Sequence, residues 1–205
     1  RRLAAAGARV VEETELRGDV AAPLVAGASL HNLRARLDAG RVFLLTDDEP
    51  KATIKLLYGL ACGLHPRRPA WADACLKAHA LLPPDAAAHL ARLPSSRWRV
   101  GSRDALFGGT LAVLAGGADW CATWAPVLRA AGAEVRRELP PLHHEPRADG
   151  TCVVLVPKEE HQQQGAAGLV GRARERGVGV ASVEWVKQCL LQQKNLPTRG
   201  FPPPQ

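Results

Sequence analysis

Five cysteines, a pair of adjacent histidines and a run of three carboxylates are the side chains whose types could support catalysis or metal binding. Cys62, Cys75, Cys121, Cys152 and Cys189 are scattered and odd in number, and no two form a C-x-x-C pair. A zinc knuckle or a dithiol redox motif needs that spacing. The five therefore read as small buried hydrophobes, in keeping with a reducing compartment. His143-His144 has only Glu145 beside it, too few ligands for a metal site. Asp47-Asp48-Glu49 precedes an expected helix, where carboxylates favour the positive end of the helix dipole. Leu106-Phe107-Gly108-Gly109 lacks the Lys-Ser/Thr of a P-loop and comes before its strand rather than after it, so it is no nucleotide fingerprint. No nucleophile, base and orienting group fall at a recognisable spacing. An enzyme is not expected, and neither is a metal or a cofactor.

The chain has 205 residues, 46% of them hydrophobic, and a formal net charge of +7. That length holds one large or two small domains with a sizeable core. The positive charge points to acidic partners: nucleic acid, a phosphorylated chain or an acidic tail. No signal peptide and no apolar run near the ~18 residues of a membrane span is found.

Elements that could position a site alternate between strand and helix. Arg1 to Ala6 reads as the last turns of a helix stopped by Gly7, followed by a strand at 8–13. The stretch 14–40 is poorly patterned. A buried strand is expected at 41–46, a helix at 51–62 ended by Gly63, an edge strand at 64–68 around Pro66, and a helix at 70–77. A connector, 82–106, carries the basic run Ser95-Ser96-Arg97-Trp98-Arg99. The pattern then restarts: strand 110–115, helix 119–131 stopped by Gly132, strand 133–138, loop 140–149, the apolar strand 151–156, and helix 159–176. The run Val178-Gly179-Val180-Ala181-Ser182-Val183-Glu184-Trp185 passes from a strand into a last amphipathic helix, with Ser182 as its expected N-cap.

The two passes overlay. Residues 3–13 parallel residues 128–138, and seven of the eleven positions are identical. Phe43-Leu44-Leu45 parallels Val153-Val154-Leu155, and Trp71 parallels Trp185. The chain is a tandem of two α/β units, whose alternation argues for parallel sheets flanked by helices. The second pass has a strand before its first helix and the first does not. The first unit is therefore expected to be truncated at its N-terminus, since a missing central strand would leave backbone groups unpaired.

Helix-Gly-strand, apolar strand, then strand and Trp-bearing helix, all in tandem, resembles a pair of BRCT domains. Its signature end is Ala181-Ser182-Val183-Glu184-Trp185-Val186-Lys187-Gln188-Cys189-Leu190. The stretches 49–63, Ala80-Leu81-Leu82-Pro83 and Trp124-Ala125-Pro126-Val127-Leu128 resemble checkpoint-mediator members of that family. The resemblance implies a first repeat at 1–82, a linker at 83–105 and a second repeat at 106–205. Each repeat would hold four parallel strands in the order 2-1-3-4, with two helices on one face and one on the other. Gly7, Trp71, Gly132 and Trp185 would be structural.

The same resemblance implies a phosphoserine pocket in the first repeat. Thr53 and Lys55 match the family's Thr and Lys at the start of a helix, with Lys51 as an auxiliary. The chemistry suits an anion: a hydroxyl donor and a point charge at a helix N-terminus. Ala52 and Leu57 depart from the family, which often has Arg and an aromatic there. The partners implied are a phosphorylated histone tail or another phosphoserine protein, and a tumour-suppressor transcription factor. They imply a checkpoint or repair adaptor in the nucleus, on chromatin. A rival reading is a phosphate-independent scaffold that uses Arg97, Trp98 and Arg99 of the linker. Direct nucleic-acid binding and a membrane role are not expected.

Overall fold

The computed structural model describes residues 43–47, 49–82, 91, 105–141, 151–159 and 166–203. The chain divides into two compact units, Arg1–Val100 and Gly101–Gln205. Gly7 and its flanking helix and strand, the stretch 14–40, and Arg97, Trp98 and Arg99 lie outside the described residues.

In the first unit, β1 (Leu44–Leu45) precedes α1 (Ile54–Ala61), which leads through β2 (Pro66–Arg67) into α2 (Pro69–Ala78). The two strands pair in parallel, Leu44 opposite Pro66 and Leu45 opposite Arg67. Pro66 has no N–H to give to a ladder, but its carbonyl accepts from the Ala91 N–H at 3.0 Å. Helix α1 buries Leu56, Leu57, Tyr58 and Leu60. It starts at Ile54, three residues later than the sequence pattern suggests. Thr53 is extended (φ −75°, ψ 159°) and serves as its N-cap. The carboxylates Asp47 and Glu49 consequently lie outside its first turn, which corrects the expectation that they serve its dipole.

The second unit is built on β3 (Leu111–Leu114), α3 (Ala118–Ala130), β4 (Glu134–Arg136), β5 (Cys152–Val156), α4 (Ala166–Glu175), β6 (Gly179–Ser182) and α5 (Glu184–Gln192). Its four strands are all parallel, in the order β4-β3-β5-β6. Numbered within the unit this is 2-1-3-4, as the family resemblance implies. From β3 the chain steps one way across the sheet, and from β5 it steps the other. Right-handed crossovers therefore place α3 and α4 on opposite faces. Val113, Ala115, Val154 and Val156 cluster with Ala166, Leu169 and Ala173 of α4. The alternate residues Ala112, Leu114, Val153 and Leu155 are 0–1% exposed, so the α3 face is covered as well. Burial on both faces explains why Val153-Val154-Leu155-Val156 is apolar without alternation.

Two further features differ from the sequence pattern. Ser182 is no helix cap: it ends β6, paired opposite Val156, and its N–H donates to the Phe201 carbonyl at 3.0 Å. Val183 takes the N-cap position without a side-chain bond. Glu159 lies outside helix α4, which is described over Ala166–Glu175; residues 160–165 lie outside the described set.

Helices α2 and α5 share one frame. Trp71 and Trp185, Cys75 and Cys189, His79 and Gln193, and Leu82 and Leu196 are each 114 positions apart. Both helices end on a left-handed residue, His79 (φ 49°, ψ 29°) and Gln193 (φ 48°, ψ 42°). In both, the thiol of the cysteine accepts a backbone N–H seven residues on: Leu82 to Cys75 Sγ and Leu196 to Cys189 Sγ, each at 3.3 Å. The strand registers agree too, with Leu44 opposite Pro66 and Val154 opposite Val180. The described part of the first unit thus repeats the second half of the second unit in structure as well as in sequence.

Candidate functional site

Lys51, Thr53 and Lys55 come together at the N-terminus of α1, and all three are exposed. The segment is held open by its own backbone. Thr53 N–H bonds the Lys51 carbonyl at 2.7 Å, and the Thr53 carbonyl accepts the first helical bond, from Leu57 N–H at 3.0 Å. The Thr53 side chain caps the helix only weakly, with Oγ1 accepting from Leu56 N–H at 3.4 Å. That is beyond the usual 2.7–3.2 Å of a good N–H···O bond. The hydroxyl proton is not used by this contact, so Thr53 can donate outward. The first N–H groups of a helix have no partner within it and carry the positive end of the dipole. A hydroxyl donor, helix N–H groups and two lysines are groups of the kind that favour an anion. Ala52 is exposed beside them, while Leu57 is 1% exposed and belongs to the core of its unit.

The expected structural residues behave differently from one another. Gly132 follows α3 with φ +94°, a conformation that favours glycine, and a Cβ there would strike Ala105. Trp185 is 1% exposed, and its Nε1 donates to the Leu196 carbonyl at 2.7 Å. Trp71 is 4% exposed, yet its Nε1 has no hydrogen-bond partner among the described residues.

Sequence reasoning missed two residues. Arg67 is only 3% exposed, with its guanidinium carbon 4.6 Å from the Trp71 ring centroid and 5.5 Å from that of Phe43. Arginine is rarely that buried. The signal was available in the 114-residue frame, where Arg67 answers to the buried Ala181. Phe107, passed over in a Gly-rich run, is 0% exposed and stacks on Trp185.

The cysteines are all free. Burial pushes the Cys62 thiol up to about 12, against an opposing bond to Tyr58, and raises Cys121 and Cys152 in the same direction. Among the described residues no three His, Cys, Asp or Glu side chains group as a metal site would require. Nor is any described helix long and apolar enough to cross a membrane.

Residues 106–202 match the family model described as the BRCA1 C Terminus (BRCT) domain. No curated protein matches the chain in sequence. Among solved structures, the chain is similar to the crystal structure of S. pombe Rad4 BRCT3,4, at 16% identity and a TM-score of 0.40 over 88% of this chain and 94% of that one. It is also similar to the S. pombe Brc1 BRCT5-BRCT6 domains, at 14% identity and a TM-score of 0.48 over 70% of this chain and 74% of that one.

Proposed function

We propose that the chain is a non-enzymatic adaptor that reads a phosphoserine motif through its first unit. BRCT domains in general mediate phosphoprotein binding in DNA-damage checkpoint and repair. The observation that carries the reading is the clustering of Lys51, Thr53 and Lys55 at the exposed N-terminus of α1. Thr53 donates to one phosphate oxygen and Lys55 supplies the charge, with Lys51 beside them. Charge-assisted bonds of this kind are about twice as strong as neutral ones, and a phosphoserine carries roughly −1.5 to −2 charge at neutral pH.

The organisation proposed is a first repeat to residue 82, a linker at 83–105 and a second repeat from 106. The finer resemblance is to the C-terminal BRCT pair of the tumour-suppressor-binding checkpoint mediator, fifty-three-binding protein one. It rests on residues 49–63, 80–83 and 124–128. Under it the ligand is a phosphorylated histone tail and the location is nuclear chromatin.

A second reading is a phosphate-independent scaffold for a folded partner, such as the tumour suppressor's DNA-binding domain. Leu81 favours it: 65% exposed, it is a large apolar side chain just before the linker that carries Arg97, Trp98 and Arg99. Binding titrations of the two candidate partners separate the readings. If Lys55→Ala leaves binding unchanged while Trp98→Ala weakens it, the scaffold reading stands and the phosphate reading fails.

A further inference from the structure

We infer that the Trp71 indole and the Leu82 carbonyl form an open latch where the chain leaves α2, whose closed form is the Trp185–Leu196 bond at the end of α5. The inference is independent of phosphate reading. It rests on two copies of one helix and its exit, aligned 114 positions apart, in which the backbone and thiol bonds at the exit are kept and the indole bond is not.

The kept bonds define the frame. His79 N–H to Leu76 O at 3.4 Å matches Gln193 N–H to Leu190 O at 3.4 Å. Ala80 N–H to Cys75 O at 3.3 Å matches Lys194 N–H to Cys189 O at 3.1 Å. The two thiol bonds, from Leu82 and Leu196, are equal at 3.3 Å. Leu82 is thus held by its N–H in the same manner as Leu196. What differs is the indole: Trp185 Nε1 reaches the Leu196 carbonyl at 2.7 Å, while Trp71 Nε1 is buried and reaches no acceptor among the described residues.

The cause lies beneath the ring. In the second unit the strand positions equivalent by register are Val153 and Ala181, and the Trp185 indole stacks on Phe107. In the first unit those positions are Phe43 and Arg67. Phe43 packs on Trp71 at 4.8 Å between centroids, and the Arg67 guanidinium lies over the same indole at 4.6 Å. A cation over an aromatic face is attractive, more so when desolvated, and the two bulky side chains hold the ring where they want it. Leaving the buried N–H unbonded opposes that hold. The opposed preferences make a two-position element: indole on Arg67, or indole on Leu82.

The test is the indole 1H–15N spectrum of the full chain, with the five tryptophans assigned by single Trp→Phe changes. In the unaltered protein the Trp185 indole proton is expected downfield, in the hydrogen-bonded range. The Trp71 proton is expected upfield, exchanging with deuterium at least about fivefold faster, the factor that one net hydrogen bond supplies. Arg67→Ala, which gives the first unit the alanine of the second, is expected to move the Trp71 signal downfield and slow its exchange. Matching shifts and exchange for the two indoles in the unaltered protein would overturn the inference without any variant. A folded Arg67→Ala protein with an unmoved Trp71 signal would overturn it as well.

Discussion

The ring of Phe107 lies 5.1 Å from that of Trp185, 28° from parallel, and neither is more than 1% exposed. Phe107 N–H also bonds the Ala131 carbonyl at 2.8 Å, tying the turn before β3 to the end of α3. One aromatic contact thereby joins the turn before β3 to α5. Truncating a buried Phe costs about 3–5 kcal/mol. Phe107→Ala is therefore expected to lower the urea midpoint of the second unit sharply, read by tryptophan fluorescence. A loss under about 1 kcal/mol would show that the contact is replaceable.

Gly132 should be intolerant of any side chain. Its φ of +94° and the approach of Ala105 act together, and such strain costs about 1–3 kcal/mol. Gly117, the N-cap of α3, has φ −60° and open space, with no neighbouring atom within 4 Å of where a methyl group would sit. Gly132→Ala should destabilise by about 1–3 kcal/mol and Gly117→Ala by well under 1 kcal/mol, since the lost N-cap preference is offset by the reduced freedom of the unfolded chain. Equal thermal shifts for the two would contradict this account.

Cys189 gives the protein an alkaline edge. Burial raises its thiol to about 11, against the opposing bond from the Leu196 N–H. In the unfolded chain the same thiol titrates near its ordinary value of about 8.5. Between those values the unfolded state has released a proton that the folded state retains, so stability falls as pH rises. The slope for one such thiol is at most about 1.4 kcal/mol per pH unit. Denaturant titrations from pH 8 to 11 should show a shallower decline for Cys189→Ala than for the unaltered chain. Parallel declines would contradict the assignment.

The capping role of Thr53 separates from its proposed binding role. Its bond to Leu56 N–H is long at 3.4 Å, so Thr53→Ala should cost stability only at the low end of the ~0.5–2 kcal/mol range for caps. The loss in phosphopeptide affinity should be larger, about 1.5–3 kcal/mol for a hydrogen bond to a charged group. Thr53→Ser should restore both. Melting and binding curves on the same three proteins check this.

Much of the sheet was legible because burial on both faces writes an apolar run, as in Val153-Val154-Leu155-Val156. Gly132 and the two tryptophans were legible because a left-handed stop and a large buried aromatic leave few alternatives. The start of α1 was not, since Lys51 and Ala52 are good helix formers and only the Thr53 cap geometry excludes them. Ser182 is a favourable cap by type, but its pairing opposite Val156 claims it for the sheet. Arg67 was hidden by its charge: nothing local shows that Phe43 and Trp71 will enclose it. At the candidate site, Thr53 and Lys55 were singled out by the family resemblance rather than by their spacing, while the weak Thr53 cap emerged only from the structure.

The central claim is that the N-terminus of α1 grips a phosphate. Its most direct test is the affinity of the full chain for a phosphoserine peptide and for its unphosphorylated twin, each titrated against the unaltered protein and Lys55→Ala. A charge-assisted bond contributes about 1.5–3 kcal/mol. The phosphorylated peptide should therefore bind at least about tenfold tighter, and Lys55→Ala should remove most of that margin while leaving the twin unaffected. Equal affinity for the two peptides, or a margin that survives Lys55→Ala, would contradict the account.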